Sequence, residues 1–343
     1  MNATILKLVK DARAAMMLVI VATAIAIATP IFLTTGNLLN IVLASSVVAL
    51  LAAGQTYVII LAEIDLSVGS ILALSGVATA LVLQAHSVFI GLIAGIGVGV
   101  LAGLINGLLV TKARMPAFIA TLGTMSVFGG LTLYITQGNP ISVDNGLFLD
   151  IGQANPLGVP FPAWIVLAAL LCFGFLLSRT RFGRHIYAVG DNPEAARLSG
   201  INVHWIKISA FVISGMLASI AGFILTARLS TAEPTAGMGE ELSAIAAVII
   251  GGTSLMGGRG ALLGSFIGAI LLGVIDNGLN LLNVSPFLQG VAKGLVILLA
   301  VFIERNSDVM QLFWRKIQKD PVGRRFPEKP VPDEGNKQKE VRY

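Results

Sequence analysis

Ten apolar segments run through this sequence almost end to end: residues 14–34, 38–61, 67–84, 88–110, 117–136, 163–178, 208–227, 242–256, 261–282 and 287–303. A helix needs about 20 largely apolar residues to cross a bilayer. Hydrocarbon offers no partner for backbone N–H and C=O groups, so a crossing segment must satisfy them internally. The pattern therefore predicts an all-α polytopic membrane protein with about ten transmembrane helices. Composition agrees, with 55% hydrophobic and only 12% charged residues, against roughly a quarter charged in soluble domains. The 38 glycines would weaken soluble helices, but in lipid small residues let helices approach closely. The segment at 242–256 is short and glycine-punctuated, which predicts a broken or tilted span.

Orientation follows from the basic residues, because cytoplasmic loops near spans are enriched in them. With the N-terminus inside, only Arg228 and Lys293 of the 23 Lys and Arg fall elsewhere than the cytoplasmic side. Both termini are therefore expected in the cytoplasm: residues 1–13, then a membrane domain over 14–303, then a basic tail over 304–343. The tail is poor in apolar residues and expected to be disordered, drawn at most to anionic lipid. The loop at 137–162, expected outside, carries Asp144 and Asp150 and no basic residue. The first segment continues about 20 residues to Pro30, longer than the apolar core of a signal peptide, and is expected to stay as a helix. The net charge of +5 lies in loops and tail, so nucleic acid is not an expected partner.

The longest cytoplasmic loop, 179–207, contains a helix signal. Asn192 suits the N-cap, Pro193 the first helical position, Glu194 the positive end, and Gly200 a stop. A short helix over Pro193–Ser199 is expected, with Ala195, Ala196 and Leu198 as its apolar surface and Glu194 and Arg197 three apart. A stub of this length is marginal alone, so it either docks on a partner or lies on the membrane surface.

Polar residues within spans are few. Gln55, Asn106, Asn277 and Asn280 could line a pathway or join helices, as could Gly251 and Gly252 through unwound backbone. Glu63 and Asp65 fall at an expected cytoplasmic turn, where Asp65 would cap the helix beginning at Leu66 and Ser67 would allow close packing. Glu233, Glu240 and Glu241 are expected to form a negative external surface, Lys293 could pair with Asp276, and Cys172 reads as filler. No P-loop GxxxxGK[ST], HExxH or GxSxG occurs, and His86, His185 and His204 are isolated. The residues point to no catalytic set, no metal site and no cofactor in this chain.

Four stretches together resemble the permease subunits of bacterial ABC importers for simple sugars. They are VIILAEIDLSVGS (58–70), GDNPEAARLSGINV (190–203), EPTAGMGEELSAIAAVIIGGTSLMGGRG (233–260) and DNGLNLLNVSPFLQGVAKGLVILLAV (276–301). The resemblance runs in order from about residue 36 to 303 and looks like the ribose, xylose, arabinose and galactose group rather than the related branched-chain amino-acid permeases. It implies a second permease subunit, cytoplasmic ABC ATPase subunits that bind ATP and Mg, a periplasmic sugar-binding protein, and residence in the bacterial inner membrane. It also implies that Asn192–Gly200 couples to the ATPase. One departure is Ala62-Glu63, where many relatives carry Gly-Gly or Thr-Gly before IDLSVG. An ion-coupled transporter would instead place acids at the membrane midplane, and most acids here fall in loops.

Overall fold

The computed structural model describes residues 13–305. The N-terminal residues 1–12 and the basic tail from 306 onward, expected cytoplasmic, lie outside the described residues. In chain order the helices are α1 (Arg13–Ala28), α2 (Thr35–Ile60), α3 (Val68–Leu83), α4 (Val88–Thr111), α5 (Ala117–Thr136), α6 (Gly146–Gln153), α7 (Phe161–Arg179), α8 (Arg181–Asp191), α9 (Pro193–Leu198), α10 (Val203–Leu229), α11 (Glu240–Ile250), α12 (Leu262–Leu281) and α13 (Pro286–Arg305). Six of them, α2, α4, α5, α7, α10 and α12, are long and apolar enough to cross a membrane, and apolar parts of α1, α3 and α13 are shorter. The chain is a polytopic helical membrane protein.

The centre of the bundle is α2 and α10, whose interiors are almost fully buried. Backbones meet there because glycine leaves no side chain between them. Gly99, Gly103 and Gly107 recur every four residues along one face of α4. A Cβ on Gly103 would stand 2.8 Å from the Val212 Cα, and one on Gly107 would stand 2.8 Å from the Ile208 Cα. Gly54 of α2 meets the Ser214 backbone of α10 in the same way. Such close approach replaces the hydrophobic drive that lipid removes.

The two ends of the bundle are held differently. At the Ile60 end of α2, the Gly258 N–H donates to the Ile60 carbonyl (2.9 Å) and the Tyr187 hydroxyl donates to the Gly260 carbonyl (2.8 Å). At the Thr35 end, Asn37 and Asn277 exchange side-chain hydrogen bonds of 2.9 and 2.7 Å. The 137–160 connection folds over the far end of α10. Strand β1 (Ile141–Ser142) pairs antiparallel with β2 (Thr231–Ala232), and Phe148 of α6 packs edge-on against Phe223, with ring centroids 5.1 Å apart.

One element departs from expectation and one meets it. The 179–207 loop holds a second helix, α8, whose buried Gly183, Ile186, Val189 and Gly190 form one stripe at helical spacing. Arg181, Arg184 and His185 between them mask that stripe in any averaged hydropathy. The 242–256 segment is broken, as its shortness and glycines predict: its helix is the 11 residues of α11, about 16 Å at 1.5 Å per residue. It stops where Gly252, Gly257 and Gly258 take φ of 89°, 84° and 70°. The unwound turn is still satisfied, with the Thr253 N–H donating to Val248 O (3.1 Å) and Ser254 N–H to Arg259 O (3.0 Å), as buried backbone requires.

Candidate functional site

Three features of the described residues carry chemistry: a protruding loop helix, a buried polar network and a cavity. The loop helix is α9. Asn192 Oδ1 accepts from the N–H groups of Glu194 (3.1 Å) and Ala195 (2.9 Å), Pro193 opens the helix, and Gly200 leaves it at φ 82°. The Arg197 guanidinium donates to both Glu194 oxygens (3.0 and 2.6 Å). This hydrogen bond, with the Arg197 charge behind it, holds the Glu194 carboxyl below its usual range. Ser199 Oγ donates back to Ala195 O (2.9 Å). Ala196 is buried and is the anchor, whereas Leu198 is 75% and Trp205 63% exposed. A six-residue helix cannot hold itself by propensity. It is held by its caps and by α8 and the start of α10, so a rigid, partly apolar knob faces away from the bundle.

The polar network lies inside. Asp65 accepts from the Ser67 N–H (3.0 Å), Ser67 Oγ (2.6 Å) and Ser214 Oγ (3.0 Å). Asn106 Nδ2 donates to Ser67 Oγ (2.7 Å), and Thr124 Oγ1 donates to Asn106 Oδ1 (2.7 Å). Gln55 Nε2 donates to the Asp65 carbonyl, and the Leu66 N–H donates to Thr121 Oγ1 (3.1 Å). The network ties α2, α3, α4, α5 and α10 around the break between α2 and α3. Asp65 is therefore not a solvated cap. It is fully buried, the helix begins at Val68 with Ser67 at its N-cap, and Ser214 supplies a partner that no local pattern reveals.

The other singled-out residues are also engaged within the protein. Gly251 packs on the Gly264 backbone, Gly252 has a left-handed conformation, Asn277 pairs with Asn37, and Asn280 accepts from Gln289 (2.9 Å). Lys293 and Asp276 form an ion pair of 2.9 Å. Glu240 is not part of an external acidic surface: its Oε2 is buried without a hydrogen-bond partner, near that pair. Cys172 is exposed on α7. The Ala62-Glu63 departure has a clear consequence. Ala62 sits at φ 58°, a left-handed conformation that glycine adopts without penalty, while Glu63 forms an ion pair with Lys207.

A cavity of about 330 Å³ opens between α3, α5 and the segment entering α11, and Ser70, Met125, Thr235, Gly237 and Glu241 are among its lining residues. Sequence alone sets Glu241 on an external acidic surface with Glu233 and Glu240 and does not bring this set together. Gly69 and Gly237, whose backbones touch, close the cavity floor across a large sequence separation. The only local signal is that both are glycines beside polar residues.

Similarity to known proteins accords with this arrangement. Residues 37–301 match the family model described as the permease component of the branched-chain amino acid transport system. The ribose import permease of Haemophilus influenzae is 44% identical over 307 residues, covering 88% of this chain and 95% of that protein. The D-allose transport system permease of Escherichia coli K12 is 44% identical over 276 residues (80% and 85%). The L-arabinose transport system permease of the same strain is 42% identical over 283 residues (82% and 86%). No solved structure matches. The chain thus belongs to the permease-component family of ABC importers.

Proposed function

We propose that this chain is the translocating permease of an importer for a monosaccharide, delivered by a periplasmic binding protein and driven by ABC ATPase subunits that hold the ATP and Mg. The observation that carries the sugar assignment is the identity of at least 42% to permeases named for ribose, allose and arabinose, each across 80% or more of this chain. Two permease subunits, identical or not, would frame the pathway in the bacterial inner membrane.

In this reading the chain crosses the membrane ten times, at α1, α2, α3, α4, α5, α7, α10, α12 and α13 and at α11 together with the non-helical segments that flank it. The Ile60 end of the bundle is cytoplasmic. Support comes from the basic residues gathered there: Arg114 and Lys207 border one cavity, and Arg179, Arg181, Arg184 and Arg197 lie on or beside α8 and α9, as the positive-inside tendency requires. The exposed Leu198 and Trp205 beside the Glu194–Arg197 pair would seat α9 in a groove of the ATPase. Closure of the ATPases would then move α9, α8 and α10 together and switch the access of the pathway. The permease needs only different contacts in its two states.

Disulfide trapping tests the coupling assignment. Leu198→Cys, in a Cys172→Ser background, should cross-link to a cysteine in the ATPase groove and abolish uptake until reduced. Free reaction of Leu198→Cys with an impermeant reagent added outside intact cells would overturn it.

A further inference from the structure

The cavity beside Glu241 holds about 330 Å³, at the small end of the roughly 300–1,000 Å³ typical of small-molecule sites. It lies at an interior level of the bundle. The neighbouring Asp65–Ser67 turn bonds Ser214, and Leu72, one turn along α3, packs on Gly222, both well inside α10. Its side-chain polar atoms share one character. Ser70 Oγ donates its proton to Ser67 O (2.8 Å), and Thr235 Oγ1 donates to a Glu233 oxygen (3.1 Å). Each hydroxyl therefore turns only lone pairs to a visitor. Glu241 accepts from the Gly239 N–H through Oε1 (3.2 Å), and its Oε2 lies against Gly69. Among the described residues no cation forms an ion pair with Glu241. A carboxylate at such depth is costly and marks a functional position by default.

A cavity whose side-chain oxygens accept suits ligands that bring O–H donors. Met125, Leu133 and Pro234 on its walls suit the C–H face of a ring. We propose that this cavity is a contact station for one neutral, hydroxyl-rich ring of pentose or hexose size, with Glu241, Ser70 and Thr235 accepting its hydroxyl protons. The proposal rests on the importer reading above and adds the residues and the ligand chemistry. The cavity floor depends on the Gly69–Gly237 backbone contact, which any side chain would fill.

The test uses the whole importer, with its ATPase and binding protein, in proteoliposomes. Gly129→Cys, a lining position with open space for a side chain, in a Cys172→Ser background is alkylated with a small thiol reagent in the presence of D-ribose, D-allose, L-arabinose or L-leucine. The transported sugar should slow alkylation at least five-fold and L-leucine should not. Cys172 in the otherwise native chain should react at one rate throughout. Glu241→Gln should cut sugar uptake at least ten-fold at normal permease yield. Equal alkylation with and without sugar, in a preparation that imports that sugar, would overturn the station and leave the permease assignment standing. Import of L-leucine and of none of the sugars would overturn both.

Discussion

Asn106 decides whether the buried network serves packing or passage. Its amide donates to Ser67 Oγ and accepts from Thr124 Oγ1, both at 2.7 Å, and it has no solvent exposure. Asn106→Ala removes both interhelical bonds. Ser67 keeps Asp65 as its acceptor (2.6 Å), and Thr124 keeps a weaker bond to Thr121 O (3.2 Å), so neither hydroxyl is stranded. Interhelical hydrogen bonds in membrane proteins contribute about 0.6 kcal/mol on average and about 1.7 at most. Two of them therefore place the loss at roughly 1 to 3 kcal/mol, or about 5- to 150-fold in the ratio of unfolded to folded permease. Reversible denaturation in detergent micelles measures that loss, and uptake normalised to folded permease measures function. The expected result is lower stability with normalised uptake within two-fold of the parent. Unchanged stability together with lost uptake would refute the packing role and assign Asn106 to the solute path.

Three further outcomes follow from the geometry. Glu194→Ala and Arg197→Ala should each uncouple ATP hydrolysis from transport while membrane insertion and permease amount stay normal; wild-type transport in both would remove α9 from the coupling path. Ala62→Gly should raise stability by about 0.5–1 kcal/mol, because an L-residue in left-handed conformation pays about 1–2 kcal/mol and glycine returns part of that as unfolded-state entropy; a lower denaturation midpoint would contradict the strain at φ 58°. Gly103→Leu should prevent assembly of α4 on α10, since even a Cβ would stand 2.8 Å from the Val212 Cα, and folded permease at normal yield would show that the helices can separate there without cost.

What the sequence makes legible is what depends on near neighbours. The spans emerge because hydrophobicity integrates over about 20 residues, and the start of α9 emerges because Asn192, Pro193 and Glu194 act within one turn. The expected end at Ser199 against the observed Leu198 lies within ordinary boundary scatter. Long-range features stay hidden. Asp65 looks like a cap because its nearer donors are at Ser67, whereas Ser214, 149 residues away in the chain, makes it a core residue. Glu240 looks like loop surface until α13 brings Lys293 near it. The cavity at Glu241 exists only once Gly69 and Gly237 touch. Helix α8 is hidden for a different reason: its apolar stripe is narrow and its other faces are basic.

The import of a monosaccharide is decided by uptake of radiolabelled D-ribose, D-allose, L-arabinose and other pentoses and hexoses in cells with and without this gene, the ATPase and binding-protein genes being intact. Deletion should abolish uptake of one sugar, and the intact gene should restore it. Undiminished uptake of every sugar, with loss of uptake of a branched-chain amino acid instead, would contradict monosaccharide import.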